Sequence, residues 1–204
     1  MTASKRAYRM GARARAAQQT REHILDAATE LFSNRDYSEV TIADIAGAAG
    51  VSGQTITNHF GSKDNLYLTG VSERFVPRVN AIRAGVTVGN IASIVDAVLA
   101  GYEESGESTV RMLAQAASVE ALADVASDGR KAHHRWISEV FQPQLDQLGS
   151  VESARLQRML CVLLDVYTWH QLRNQDGLSA EQVNAEIFRG IGTLMTGSGV
   201  RTFE

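Results

Sequence analysis

An all-α fold is predicted by three features of the chain. Apolar residues recur at i, i+3/4 and i+7 through most segments, no stretch alternates with period two over a strand's length, and only Pro77 and Pro143 punctuate the 204 residues. With 44% apolar content, a chain of this length can bury a substantial core. The predicted layout is a basic flexible arm over residues 1–19, a three-helix domain with a helix-turn-helix over 20–66, and a larger helical domain over 67–204, about nine helices in all.

The arm is predicted from charge. Lys5, Arg6, Arg9, Arg13, Arg15 and Arg21 lie in the first 21 residues with no acid among them. Such an apolar-poor stretch can follow phosphates or enter a minor groove, with Arg13 and Arg15 as candidate contacts, or it is a solubilising tail. Thr20 is then placed to cap a helix whose Ile24, Leu25, Ala28, Leu31 and Phe32 share one face.

The most informative stretch is Thr41 to Phe60. Thr41 and Asp44 have capping-box spacing, and Ile42 and Ile45 give a first short helix its apolar stripe. Gly50 can take the left-handed conformation that ends this helix. Ser52 caps a second helix, which Val51 and Ile56 staple. Ile56 and Phe60 point inward at i, i+4, so Gln54, Thr55, Thr57 and Asn58 are left near the outward end. A helix so presented can enter a major groove, where Gln54 and Asn58 can each bond adenine twice, Thr55 and Thr57 can meet thymine or phosphate, and Gly53 permits close approach. Ser62 caps a further helix, with Lys63 near its N-terminus, where phosphate is favoured.

Beyond Leu66 further helices are expected. The fourth runs from Ser62 past Phe75, with Pro77 kinking or ending it before a break at residues 84–89. Asn90 caps a helix over Ile91 to Tyr102; a Ser105-Gly106 break separates it from Thr109 to Ser118. Leu122 to Leu148 is expected to break near Ser127-Gly129 and to be disturbed by Pro143. Val151 to Gln175 and Ser179 to Thr196 are expected as two long helices. Leu156, Leu160 and Leu163 on the first, with Leu164 and Tyr167 on the same stripe, and Val183, Ile187, Gly190, Ile191 and Leu194 on the second are the candidate dimer interface, a four-helix bundle with a second copy.

Residues 24 to 66, with LDAATELFSNRDYSEVTIADIAGAAGVSGQTITNHFGSKDNL at their centre, resemble the N-terminal domain of the TetR family of bacterial transcriptional repressors. Thr41, Ile45, Ala46, Ala49, Gly50, Val51, Ser52, Thr55, His59, Phe60, Ser62, Lys63 and Leu66 fall on the family's pattern. Gln54 stands where a small residue is usual, and Thr57 where the family usually has a phosphate-binding tyrosine. The resemblance implies phosphate contacts from Lys63 and from the residues around Thr41, with His59 a further candidate for which packing between helices is the alternative; Ser52 is also a candidate DNA contact. It also implies a homodimer, double-stranded DNA with a palindromic operator as partner, and a small-molecule effector in the C-terminal domain. Tyr102, Met112, Gln115, Trp136, Tyr167 and His170 are the candidate pocket residues, being polar or amphipathic groups within apolar helices.

Net charge is −3, yet from Leu66 onward twelve Lys/Arg face sixteen Asp/Glu, so DNA is expected at one end only. No apolar run reaches a membrane span's length and no secretion-signal core is evident, which predicts a cytoplasmic protein without membrane contact. Cys161 is the sole cysteine, so an intramolecular disulfide is excluded. No Gly-rich phosphate loop, G-x-S-x-G, H-E-x-x-H or cysteine motif is present, and no catalytic residue, metal site or cofactor is expected. His133 and His134 are about 100° apart on a helix, poor as chelators, and read as surface or domain-interface residues. The leading expectation is a repressor released from its operator by a small molecule; the alternative is a DNA-binding organiser or partner-recruiting protein with no metabolite effector.

Overall fold

The computed structural model describes residues 2–200, with side chains from residue 13 onward. It is all-α: the described residues form eleven α-helical spans and two five-residue π-helical ones joined by turns and short loops. The chain divides into two compact units, Met1–Pro77 and Arg78–Glu204.

In the first unit, α1 (Thr2–Asn34) packs against α2 (Ile42–Ala49) and α4 (Lys63–Gly70), with α3 (Gly53–Phe60) between the last two in sequence. The core is Ile24, Leu25 and Ala28 of α1 with Val40, Ile45, Ile56, Phe60 and Leu66; Leu31, Phe32, Ile42 and Val51 pack against it. Two expectations change here. The stretch expected as a flexible arm is the first half of α1, because residues 2–20 contain no proline and are rich in alanine and arginine, both strong helix formers. Thr20 is accordingly no cap; its hydroxyl donates to the Ala16 carbonyl inside the helix. The side chains of Lys5, Arg6 and Arg9 lie outside the described residues.

The unit also runs on past residue 66. After α4 the helix widens into a π-helical turn, Val71–Phe75, before α5 (Val76–Ala84). Pro77 has no N–H to give the Glu73 carbonyl, and the Val76 N–H reaches back five residues to Val71. The π turn presents Glu73 and Arg74 to α1: Arg21 forks onto Glu73, and Arg74 bonds Asp26 at 2.9 Å and also Glu22. These pairs carry the boundary to Pro77.

The second unit comprises the end of α5, then α6 (Ile91–Gln115), α7 (Glu120–Val140), α8 (Gln142–Leu145), α9 (Ser150–Leu163), α10 (Val166–His170), a π turn (Gln171–Gln175) and α11 (Ala180–Gly197). Its core runs from Ile94, Val95, Val98 and Leu99 through Ile137, Phe141, Leu156, Leu160 and Leu164 to Trp169, Val183, Ile187 and Ile191. Asn90 caps α6 by accepting from Ser93 N, and Ser179 with Gln182 forms a reciprocal box at α11. α6 passes through Ser105-Gly106 without a break because Gly106 is where Trp169 packs; a Cβ there would lie 2.4 Å from the indole. α7 likewise runs through Ser127-Gly129, held by its buried face of Leu122, Ala126, Ile137 and Val140. The reverse holds for 151–175. The expected single helix stops at Leu164, and Asp165 caps α10 by accepting from Tyr167 N at 2.8 Å. The shared stripe therefore fails, and Tyr167 is left 51% exposed.

Candidate nucleic-acid interface

The turn between α2 and α3 is built by the residues that predict it. Thr41 accepts from Asp44 N at 3.1 Å while the Asp44 carboxylate accepts from Thr41 N at 2.9 Å, closing the capping box. Those bonds hold the Asp44 carboxyl below its ordinary range. Gly50 ends α2 at φ 65°, a left-handed value that glycine adopts without a Cβ clash. Ser52 accepts from Thr55 N at 3.1 Å to open α3.

Ile56 and Phe60 anchor α3 in the core, and Gln54, Thr57 and Asn58 are exposed on its other side. Gln54 Nε2 donates to Asn58 Oδ1 at 3.0 Å. The pair leaves Gln54 Oε1, a second Gln54 N–H and the Asn58 amide NH₂ outward, an acceptor beside donors, which is the set that adenine's N6 and N7 require. Gly53 and Thr55 are half-buried, and Ser52 is exposed between them and the turn. A Cβ on Gly53 would touch Ile42 at 3.4 Å, so glycine also serves the α2–α3 crossing.

Several predicted phosphate donors are already engaged. The Thr41 hydroxyl donates to Asp44 at 2.8 Å and the Thr57 hydroxyl to the Gly53 carbonyl at 3.2 Å, so each must release that bond before donating to a phosphate. Lys63 departs furthest from expectation. Its Nζ donates to the Tyr37 and Val40 carbonyls at 2.9 and 3.0 Å and lies 4.1 Å from the Tyr37 ring centroid; burial pulls its pKa down. It ties α4 to the α1–α2 connection because those carbonyls lie beyond the end of α1 and have no helical partner. Sequence reasoning missed this carbonyl pair, and missed the trio of Phe32, Tyr37 and Tyr67, whose centroids are 5.1–5.5 Å apart. His59 is half-buried beside Phe60, and Arg13 and Arg15 are exposed on α1.

The residues proposed for other roles are distributed differently from expectation. Leu156, Leu160, Val183, Ile187 and Ile191 are at most 2% exposed inside the second unit; Leu163 and Leu194 pack against the same core, and Gly190 receives Leu163 at 3.3 Å from its Cβ position. The five fully buried residues face the interior of the unit, whereas Leu163, Gly190 and Leu194 are half-buried at its edge. The outward faces of α9 and α11 carry Val151, Met159, Val162 and Phe188 instead. Of the candidate pocket residues, Tyr102 and Trp136 lie in one polar cluster. There Tyr102 donates to the Leu164 carbonyl at 2.8 Å, and His133, expected at the surface or a domain interface, places Nε2 2.9 Å from the same oxygen. Burial drives the His133 pKa down to about 4. The other four lie apart: Tyr167 is exposed, His170 faces Glu107 and Asn174, and Gln115 bonds its own helix at Arg111, one turn from Met112. The signal for His133 was its i, i+3 spacing from Trp136 on α7.

Comparison with known proteins agrees with this geometry. The family described as "Bacterial regulatory proteins, tetR family" matches residues 24–69, the span from the α1 core face through α4. The HTH-type transcriptional regulator AlkX of Mycobacterium tuberculosis is 38% identical over 85 residues, 40% of this chain and 38% of that protein. The HTH-type transcriptional regulator AcrR of Shigella flexneri is 47% identical over 51 residues, 25% of this chain and 24% of that protein. The matched portion thus spans well under half of either relative. A tetR-family transcriptional regulator from Streptomyces coelicolor superposes with a TM-score of 0.69 at 19% identity, covering 89% of this chain and 82% of that one. A transcriptional regulator from Rhodococcus sp. Rha1 gives 0.68 at 18%, covering 87% and 96%. Over the second unit the likeness is therefore one of fold.

Proposed function

From the match of residues 24–69 to the tetR family of bacterial regulatory proteins, we propose that this chain belongs to that family and is a sequence-specific DNA-binding transcriptional regulator, a repressor that a small molecule releases from a palindromic operator. The observation that carries the reading is α3: a helix capped by Ser52, anchored by buried Ile56 and Phe60, and presenting Gln54, Thr57 and Asn58 to solvent. The first unit is the DNA-reading domain, with Arg13 and Arg15 adding phosphate contacts from α1. The second unit holds the effector and pairs the protomers.

Pairing uses the outward faces of α9 and α11, where Met159, Val162 and Phe188 are 41–55% exposed. Phe188 borders a shallow groove where Ala185, Gly192, Thr193 and Thr196 are small enough for a second copy to approach and Arg189 adds a charge at the side. Two recognition helices about 34 Å apart would then read half-sites one helical turn apart.

Nuclease footprinting across the DNA upstream of its own gene tests the reading. A short protected palindrome is expected. Failure to protect or retard any duplex at low ionic strength overturns it, since phosphate attraction alone gives detectable binding there.

A further inference from the structure

Within the second unit, Arg83 is a guanidinium with no acid. Among the described residues it forms no ion pair, whereas Arg78 on the same helix has Glu104 at 2.9 Å. Its contacts are the Nδ1 of His133, 3.1 Å from Arg83 NH2, and the Trp136 ring, 4.7 Å below its Cζ. Arg21 and Arg74, which have carboxylate partners, are pushed up in pKa; Arg83 is pushed down by burial.

The nearby acids are engaged elsewhere. Asp165, whose charge reaches Tyr102 and His133, caps α10 through the Tyr167 N–H. Glu103 accepts from Trp169 Nε1 at 2.8 Å and from Arg173. Nor can His133 supply a second cation beside Arg83. A guanidinium only donates, so Nδ1 must accept, the ring proton sits on Nε2, and it goes to the Leu164 carbonyl. That carbonyl also takes the Tyr102 hydroxyl proton, so the histidine and tyrosine are mutually satisfied. Among the described residues no carboxylate pairs with this charge; one of its five N–H donors bonds His133 and an aromatic face lies behind it.

We propose that Arg83 anchors an organic monocarboxylate with an apolar body, and that this is the ligand class of the second unit. The inference rests on the effector-gated reading above. A carboxylate matches the guanidinium fork with two parallel bonds, and a single charge matches a single cation. A phosphate dianion would need a second cation, which neutral His133 does not provide. An apolar body suits the indole of Trp136 and the hydrophobic cluster it packs against.

The test titrates the full-length chain with hexanoate, benzoate, hexan-1-ol and inorganic phosphate, following tryptophan emission and heat of binding. Saturable binding of the two carboxylates is expected, with none for hexan-1-ol and weaker binding for phosphate. Arg83→Gln should weaken carboxylate binding by about tenfold or more, and Arg78→Gln should leave it unchanged. If Arg83→Gln does not melt cooperatively, Arg83→Lys, which keeps charge but loses the fork, decides with an intermediate loss. Absence of carboxylate saturation, equal binding of hexan-1-ol or phosphate, or equal loss in Arg78→Gln overturns the proposal. The wild-type chain's retardation of duplex DNA without added compound is measured alongside. DNA binding without carboxylate binding sinks this inference alone, and carboxylate binding without DNA binding sinks the regulator reading.

Discussion

Gln54 donates to Asn58, so the surface proposed to read DNA is held by its own hydrogen bond. Gln54→Ala is expected to cost about 1–3 kcal/mol on the cognate site and to relax selectivity at one base pair. Competition binding against single-base operator variants reads both effects; uniform weakening on every sequence would remove Gln54 from base recognition. Lys63 is expected to behave in the opposite way. Lys63→Met strands the Tyr37 and Val40 carbonyls and should cost about 1–3 kcal/mol in urea unfolding. It should not shallow the salt dependence of DNA binding by the roughly 0.9 that a lost phosphate contact would give. His133 has its own signature in pH. Its folded pKa of about 4 lies below the ordinary imidazole value, so its contribution is complete above about 6.5 and is lost as pH falls toward 4, where the unfolded chain takes up the proton first. Urea midpoints at pH 7 and pH 4.5 should converge in His133→Gln relative to the wild type.

At the scale of elements, local signals were legible where the chain makes its own contacts. The box at Thr41 and Asp44, the left-handed Gly50 and the Ser52, Ser62 and Asn90 caps are short-range devices, and each is present. Breaks were misread where a distant residue decides. Ser105-Gly106 has the composition of a turn, yet Trp169, sixty residues on, needs that glycine inside a helix. Conversely, nothing in the apolar run around Leu164 signals an interruption; two side chains from other helices satisfy the carbonyl that ends α9. Gly106→Ala would put a methyl 2.4 Å from the indole and is expected to destabilise by about 1–3 kcal/mol, seen as a lowered urea midpoint with an altered tryptophan emission. An unchanged midpoint would mean that Trp169 can move without loss.

For the whole molecule, periodicity identified the apolar stripes of α9 and α11 but could not say which stripe meets which partner. Burial assigns Leu156, Leu160, Ile187 and Ile191 to the protomer's own interior and leaves Met159, Val162 and Phe188 exposed, the face proposed above for a second copy. Phe188→Glu should therefore yield a folded monomer in sedimentation at micromolar concentration, with an unchanged circular dichroism spectrum. A dimer that survives the substitution would move the interface elsewhere. The inward stripes have a further consequence for how the protein would act in a cell. A protomer whose interior is filled by its own side chains would, under the proposed pairing, fold before it meets a second copy, so newly made chains would accumulate singly. Under the proposed pairing on a two-fold operator, occupancy would then rise with the square of their number, and the regulated gene would have a threshold: unaffected by a few copies and shut by a few more.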